Sequence, residues 1–417
     1  MKFLIICIAI FLNAYTINEL LNKVKTIEDT KLDEIFVKNI KENKKEINSA
    51  LYPKINIFTS YEHFTIPTSI IPLPPTEVNP KEALPFSQNV LKLGFNISFP
   101  IFVKEVYENK KKMDYLIKSA KITSKINLLK REVLLINLIS KLNYQYRLKS
   151  ALLKKQDSIK KTIKSIEVGV KNGVIAEFKL IRLKDSLNSL DIEIENLLIN
   201  IDNTKSEIYK LTKVYLNKEI EINSFLPKKR DFLLLKALKE NILASKQDIK
   251  AKKSKLYPTI SLNAKGYRAF AKAYNNDEDI AKNYASIGMY LNLTLSKKTF
   301  SEIEKSKLNF IKSNLEYEKN LKDLKAKEVY YKNALSKINK AIKLAINSIN
   351  LKQKLLESAR IAFSLNRMSV DEYLGYEDEL VKAKANLFNL KATKNMLIAN
   401  LAFIYGENLK KVFKWKY

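Results

Sequence analysis

In the stretch VLKLGFNISFPIF, residues Val90–Phe102, the apolar residues Leu91, Leu93, Phe95, Ile97, Phe99 and Ile101 fall on one face of an extended chain, and Lys92, Gly94, Asn96 and Ser98 fall on the other. Side chains of an extended strand point to opposite faces with a period of two, so one face of this segment is apolar and the other polar. The stretch ASIGMYLNLTL, residues Ala285–Leu295, repeats the alternation. Both stretches are therefore predicted as strands with one apolar and one polar surface.

A third alternating stretch, Lys54–Thr65, precedes the first and is also predicted as a strand. Residues 66–85 between the two contain six prolines. Proline is excluded from helix interiors and from central strands. We therefore expect a long exposed loop over 66–85 that joins the strands of a hairpin.

The rest of the chain has the pattern of long helices. No proline occurs from Ile101 to Leu226, and the only glycines there are Gly169 and Gly173. Apolar residues recur every three or four positions on both sides of this glycine pair, which is typical of an amphipathic helix. The pattern predicts an antiparallel, coiled-coil-like hairpin of very long helices that reverses direction near the two glycines.

The chain contains an internal duplication. Leu51-Tyr52-Pro53 recurs as Leu256-Tyr257-Pro258 at an offset of 205 residues, and Ile97-Ser98-Phe99 matches Leu293-Thr294-Leu295 at an offset of 196. Beyond the strands, Gly173 lies 193 residues before Asn366. Repeats of this kind indicate one structural unit used twice. The order strand, loop, strand, long helix, turn, long helix therefore occurs twice.

The N-terminus has a different character. Lys2 precedes the apolar run Phe3–Leu12 and the small residue Ala14, so residues 1–14 are predicted to be a signal peptide. Cys7, the only cysteine, lies in that run, and the mature chain would then need neither disulfides nor a cysteine metal site. No later segment reaches the roughly 20 consecutive apolar residues of a membrane helix.

The charge balance is strongly basic. The 75 Lys and Arg residues outnumber the 44 Asp and Glu residues and give a net charge of +31. Such a balance is compatible with a nucleic-acid partner. The lysines, however, are scattered along the helices beside acidic residues, and a secreted chain does not meet DNA. We interpret the charge as a solvated surface and expect no nucleic-acid partner.

Four strands per chain raise the question of how the sheet edges are satisfied. An open edge cannot face lipid because its N–H and C=O groups would be unpaired, and membrane barrels have at least about eight strands. Several chains that each contribute four strands would close a barrel, and three chains would supply twelve strands. The alternative is a pair of soluble β-hairpins packed on a helical bundle.

The chain resembles the TolC-like outer-membrane factors, the exit ducts of tripartite efflux and type I secretion systems. The resemblance covers nearly all of the chain after residue 14 and rests on duplicated short motifs. They are Leu51-Tyr52-Pro53 and its copy Leu256-Tyr257-Pro258, the segment Ile97–Phe102, and the turn segments Val170–Glu177 and Phe363–Val370.

The resemblance implies a mainly α fold with a membrane β-barrel. Tandem long α-helical hairpins would form a trimeric α-barrel, and four strands from each chain would contribute to a shared twelve-stranded barrel in the outer membrane. The predicted segments are a signal peptide (1–14), N-terminal periplasmic helices (15–50), a first β-hairpin (51–103), a first helical hairpin (104–226, turn near 169–177), an equatorial connector (227–255), a second β-hairpin (256–299), a second helical hairpin (300–404, turn near 363–371) and a C-terminal tail (405–417).

The resemblance also implies the site residues and partners. We expect the helical turns to dock on a periplasmic adaptor protein that works with an inner-membrane pump. Six residues would carry the docking, namely Gly173, Val174, Ile175, Asn366, Arg367 and Met368. Lys179 and Glu372 occupy the positions at which relatives narrow the channel entrance with acidic residues, and a plain exposed surface is the competing interpretation of both. Relatives usually have glycine at both turns, so Asn366 departs from the family.

The sequence predicts a passive conduit and no enzyme. It has no glycine-rich phosphate loop and no nucleophile elbow, and its only histidine, His63, has no cluster of ligands nearby in sequence, so no metal or cofactor is expected. Glu377, Asp378 and Glu379 are interpreted as one face of a helix. The leading hypothesis is an outer-membrane export channel with a large periplasmic portion. The alternative is a soluble periplasmic coiled-coil adaptor or scaffold protein.

Overall fold

The structure is a computed structural model that describes residues 15–74, 76, 78–79, 81–365 and 367–414. The predicted signal peptide (1–14) and the predicted docking residue Asn366 lie outside the described residues. The helices are α1 (Ile17–Lys23), α2 (Glu28–Ser49), α3 (Lys104–Lys171), α4 (Glu177–Thr212), α5 (Leu233–Ser254), α6 (Lys297–Ser364), α7 (Val370–Tyr405) and α8 (Leu409–Val412), with a 3-10 turn at Val24–Thr26.

The strands are β1 (Lys54–Ser69), β2 (Phe86–Phe102), β3 (Asn223–Ser224), β4 (Thr259–Lys272), β5 (Asp279–Asn292) and β6 (Phe413–Lys414). The first, second, fourth and fifth form one antiparallel sheet in the order β1-β2-β4-β5. The two hairpins therefore join through β2 and β4, which lie far apart in sequence. The two-residue strands β3 and β6 pair separately, a contact that the sequence did not reveal.

The duplication is visible in the helix lengths. Helices α3 and α6 both have 68 residues, and α4 and α7 both have 36. The starts and ends of the second pair all lie 193 residues after those of the first pair, the offset that relates Gly173 to Asn366. The predicted pair of very long helical hairpins is confirmed. Among the described residues, no helix is long and apolar enough to cross a membrane.

Two compact units can be distinguished. The first contains residues 15–35, 121–236 and 318–414 of the described chain, and the second contains 36–120 and 237–317. Apolar residues three or four apart share one face of a helix, and in the first unit α3 buries Ile136, Ile139 and Leu142 in this way. Burying each such side chain stabilises the fold by about 1.5–3 kcal/mol.

In the second unit, helix α5 occupies most of the segment that we predicted as a connector. Its Ala237, Ala244 and Ala251 are spaced by seven residues and are all buried. Small side chains at this spacing allow a neighbouring helix to approach closely, and the Ser119 hydroxyl of α3 donates a hydrogen bond of 3.2 Å to the carbonyl of Ala237.

The predicted strands are present, but their ends differ. Strand β2 begins at Phe86 rather than Val90, and β5 begins at Asp279 rather than Ala285. Strand β1 continues to Ser69 and includes Pro67, which we had placed in a loop. The pairing register shifts between His63 and Thr68, so Pro67 lies at an irregularity of an outer strand, where no ladder donor is required. Strand β5 ends at Asn292, before Leu295.

The loop that follows β1 is not fully exposed, contrary to the prediction. Ile70 and Ile71 are buried against Val90, Ala269 and Ile280, residues of the sheet. The side chain of Asn275 ties the two hairpin loops together. Its oxygen accepts a hydrogen bond of 2.9 Å from the Leu84 N–H, and its nitrogen donates one of 2.9 Å to the Glu82 carbonyl. The apolar residues at the start of the loop therefore cover one end of the sheet.

Candidate functional site

The first helical turn is closed by backbone hydrogen bonds. Helix α3 ends at Lys171, and Gly173 adopts φ +70°, the left-handed conformation that glycine enters without steric cost. The N–H groups of Val174 and Ile175 both donate to the Gly169 carbonyl, at 2.9 and 3.2 Å. Gly173 thus has the backbone geometry that we expected of a turn.

The two docking residues predicted after Gly173 are placed differently. The side chain of Val174 is 73% exposed at the turn. Ile175 is half-buried and packs against Gly169, where a Cβ atom would lie 2.4 Å from the Ile175 Cδ1. Gly169 therefore provides the space that Ile175 occupies, and Val174 is the apolar side chain that projects from this turn.

The second helical turn lies between Ser364 and Val370. Asn366 is outside the described residues, Arg367 is exposed and Met368 is half-buried. Helix α7 then begins with a capping box. The Ser369 hydroxyl accepts from the Glu372 N–H at 3.2 Å, and the Glu372 carboxylate accepts from the Ser369 N–H at 2.8 Å, so each residue satisfies a backbone donor of the other.

The predicted constriction residues Lys179 and Glu372 hold equivalent positions in the two repeats. The hydrogen bond from the Ser369 backbone N–H, followed by the one from its hydroxyl, lowers the pKa of Glu372. Lys179 is half-buried in the first turn of α4, whose N-cap Ala176 makes no side-chain hydrogen bond. The capping box therefore exists in one repeat only, and Glu372 is held at the start of its own helix.

The two turns are connected by an ion pair between α4 and α7. The Arg182 guanidinium donates from Nε and Nη2 to the two carboxylate oxygens of Asp371, at 2.8 and 2.9 Å. This bidentate geometry fixes the orientation of both groups. The pair is exposed on both sides, so its contribution to stability is small.

A buried polar cluster lies below the second turn and was not anticipated. Glu377, which we interpreted as part of a helix face, lies on α7 and is only 4% exposed. Its Oε1 accepts hydrogen bonds from the Tyr373 hydroxyl at 2.9 Å and the Ser158 hydroxyl at 2.6 Å. The Arg360 guanidinium donates to the Ser158 hydroxyl at 3.1 Å. The cluster joins α3, α6 and α7, and Tyr373 and Glu377 lie one turn apart on the buried face of α7.

A groove of about 830 Å³ runs beside this cluster. Its apolar part includes Phe363 and Tyr373, whose rings stack with centroids 4.7 Å apart. Its cationic lining residues are Lys149, Lys154, Lys161 and Arg360. The hydrogen bond with Tyr373 raises the pKa of Arg360, which stays charged.

No metal centre is found in the part of the chain that the structure describes, since no group of three or more His, Cys, Asp or Glu residues is arranged to hold an ion. His63 lies on the sheet with its Nδ1 2.7 Å from the side-chain oxygen of Asn89. Surfaces for contact are a further kind of candidate site.

One such surface is a face of the four-stranded sheet. The register places Ile57 opposite Phe95, and Ala264 opposite Ile287, so apolar side chains of all four strands share this face. Ile57 and Ile287 on the outer strands are strongly exposed, at 81% and 72%, and Phe95 is 46% exposed. Exposed apolar areas of this extent mark a contact with lipid or with another protein.

Comparison with known proteins supports this fold. The sequence matches no protein-family model, and no curated protein sequence is significantly similar to it. Solved structures do match. The Campylobacter jejuni CmeC outer membrane channel superposes with a TM-score of 0.77 at 17% identity, over 94% of this chain and 85% of that chain. The outer membrane protein VceC from Vibrio cholerae superposes with a TM-score of 0.76 at 13% identity, over 94% of this chain and 96% of that chain.

The open state of the Neisseria gonorrhoeae MtrE outer membrane channel gives a TM-score of 0.70 at 10% identity, over 94% of this chain and 89% of that chain. The likeness extends over nearly the whole length of each molecule. The chain therefore has the TolC-like fold of these outer-membrane proteins, with duplicated long helical hairpins and a four-stranded antiparallel sheet. The predicted fold class is confirmed.

Proposed function

We propose that three copies of this chain form an outer-membrane channel, a passive conduit from the periplasm to the exterior in a tripartite efflux or type I secretion system. The observation that carries the proposal is the four-stranded sheet. One of its faces is apolar and exposed, and among the described residues β1 pairs only with β2, and β5 only with β4.

The unpaired outer edges favour a closed barrel shared between chains. Lipid offers no hydrogen-bond partner to the edge groups of β1 and β5, so each edge needs a strand of another copy. Membrane barrels have at least about eight strands, and three copies of this sheet supply twelve. The apolar face then contacts lipid, and the opposite face lines the lumen.

The helices offer a second argument for association between copies. Ile192 and Ile199 are exposed on α4, and Leu308 and Leu315 are exposed on α6. Each pair is spaced by seven residues, the spacing of a coiled-coil contact. Such stripes favour packing against the helices of a neighbouring copy, as in an α-barrel.

The proposal places the long helical hairpins in the periplasm and assigns the turns to an adaptor protein that works with an inner-membrane pump. Val174 and Arg367 are exposed at the two turns and are the residues best placed for this contact. The channel carries out no reaction of its own, and the energy for transport comes from the pump.

Cell fractionation with a matched pair of variants tests the channel. We expect the protein in the outer membrane, soluble only in detergent and migrating as a heat-labile trimer. Ile287→Lys places a charge on the apolar face and should cost up to about 2–4 kcal/mol in the bilayer, so that trimers are lost. Ser286→Lys lies next to it on the polar face and should be tolerated. A protein that stays monomeric and soluble without detergent would contradict the channel and favour a soluble adaptor.

The docking of the turns is tested separately. Val174→Asp should reduce crosslinking of the trimer to its adaptor and reduce export, while the trimer itself remains. Asn188→Asp adds a negative charge to the exposed surface of α4 away from the turn and serves as the control. Equal crosslinking of both variants would show that the first turn does not dock.

A further inference from the structure

The polar face of the four-stranded sheet carries an unbalanced charge. In the register, Lys54 lies opposite Ser98, Lys92 opposite Ser60, and Lys265 opposite Asn96, all on the face opposite to the apolar one. Lys282 lies opposite Ala269, the residue that also pairs with Lys92, and belongs to the same face. Each of the four strands therefore contributes one lysine.

One of these four lysines is neutralised. The Lys92 ammonium forms an ion pair with the Glu62 carboxylate at 2.6 Å, and it lies 5.9 Å from the centres of the Phe64 and Tyr267 rings. Glu62 is the only carboxylate at a paired position of this face among the residues that the structure describes. At these paired positions of the described strands, the four lysines therefore exceed the carboxylates by three.

The three remaining lysines, Lys54, Lys265 and Lys282, are exposed. None of them forms an ion pair with a residue of the described chain. Lys265 lies 5.2 Å from the centre of the Tyr267 ring and 5.7 Å from that of Phe58, and such a contact leaves its charge in place. Each chain therefore presents three uncompensated positive charges on this face.

We propose that the passage through the sheet is selective for anions and that these three lysines determine this selectivity. The inference rests on the proposed conduit, because only a closed barrel turns the polar face into a lumen. Three copies would then place nine positive charges around one passage. Rings of lysine or arginine favour anions in pores, and walls of low dielectric constant strengthen their field.

The net charge of the whole chain is also positive. It says less about the passage through the sheet, because most of the lysines lie on helices and not on the polar face of the sheet. The sheet is decisive because alternation assigns every side chain to one of two faces. The cations Arg268 and Lys272 belong to the apolar face by the same register and serve as internal controls.

The test is the reversal potential of purified trimers in a planar lipid bilayer under a gradient of dilute KCl. Dilute salt is required because the screening length is only about 3 Å at 1 M but about 10 Å at 0.1 M. We expect chloride to be several-fold more permeant than potassium. Replacing Lys54, Lys265 and Lys282 by Gln, with the Lys92–Glu62 pair left intact, should bring the permeability ratio close to unity. Arg268→Gln should leave the ratio unchanged.

The outcomes separate the selectivity from the conduit. Conductance that is unselective or selective for potassium, or a triple variant that keeps the anion preference, would overturn the inference and leave the conduit standing. Trimers that show no conductance would contradict the conduit itself. If the triple variant does not assemble, the single variant Lys282→Glu on the outer strand β5 replaces it, and chloride preference should then fall with trimers confirmed by gel.

Discussion

The Tyr373 hydroxyl donates a hydrogen bond of 2.9 Å to the Glu377 carboxylate one turn further along α7, and both side chains are buried. The acceptor is the Glu377 Oε1, which also accepts a hydrogen bond from the Ser158 hydroxyl of α3. A buried carboxylate depends on such donors, because removing one leaves part of its desolvation uncompensated. Removing a single donor from this cluster below the second turn should therefore lower the stability of the protein.

Replacing Tyr373 by Phe removes the donor and keeps the ring that stacks on Phe363. We expect the unfolding free energy to fall by about 1–3 kcal/mol, since the acceptor is a buried carboxylate. Thermal unfolding in detergent measures the change. Tyr376→Phe is the control, because the Tyr376 hydroxyl has no hydrogen-bond partner in the described chain. Equal shifts for both variants would contradict the prediction.

The capping box predicts a pH dependence of stability. Hydrogen bonds from Ser369 lower the pKa of Glu372 in the folded protein, so the carboxylate contributes stability above its unfolded pKa of about 4.3. That contribution is lost as the pH falls through the lower folded pKa. Glu372→Gln should therefore lower the unfolding temperature at pH 7, and its difference from the wild type should shrink in acid.

The control for this prediction is the equivalent residue of the first repeat. Lys179→Gln changes a charge at the same position of α4, where Ala176 provides no cap. Its effect should not vary over the acidic range in which Glu372 titrates. A difference between the wild type and Glu372→Gln that stays constant as the pH falls would show that the carboxylate does not cap the helix.

Alanine should lower the stability of the protein at Gly173 and raise it at Gly375, although both glycines have open surroundings. Neither Gly173 nor Gly375 has an atom within 4 Å of the position that a Cβ would occupy. Gly173 has φ +70°, so Gly173→Ala should cost about 1–2 kcal/mol of backbone strain. Gly375 lies inside α7, and Gly375→Ala should stabilise the helix by about 0.5–1 kcal/mol. Unfolding temperatures that move in the same direction would contradict this account.

Gly94 should not tolerate any side chain. A Cβ at this position of β2 would lie 2.3 Å from the Gly266 carbonyl oxygen and 2.4 Å from the Tyr267 Cβ on β4. We expect Gly94→Ala to disrupt the β2–β4 pairing that joins the two hairpins, with loss of heat-labile trimers from the outer membrane. Gly288→Ala meets only the Tyr290 ring, at 3.2 Å, and should assemble. Trimers in normal amounts from Gly94→Ala would show that the strands can move apart.

Much of the fold was predictable because its signals are local. Alternation in Val90–Phe102 fixes which side chains share a face, and the absence of proline allows helices of 68 residues. The capping box was also readable, since Ser369 and Glu372 have the spacing of that motif, but we interpreted Glu372 only as a residue of the channel entrance or of a plain exposed surface. The left-handed Gly173 followed from its place in the repeat.

The misjudged residues depend on contacts between distant parts of the chain. The burial of Glu377 was not readable from its helix, because partners such as Ser158 lie more than two hundred residues earlier. Ile70 and Ile71 follow a strand and precede prolines, and only the neighbouring hairpin covers them. Helix α5 was missed because its buried alanines are weak markers of amphipathicity.

The sequence by itself determined the long helices, the alternating strands and the duplication, because periodicity and breakers act within a few residues of the backbone. Only the tertiary structure decided that β2 pairs with β4, that the lysines of four strands share one face and that Glu377 is enclosed. Those features depend on which surfaces meet after folding. Pairing across more than a hundred residues leaves no periodic signal in the chain.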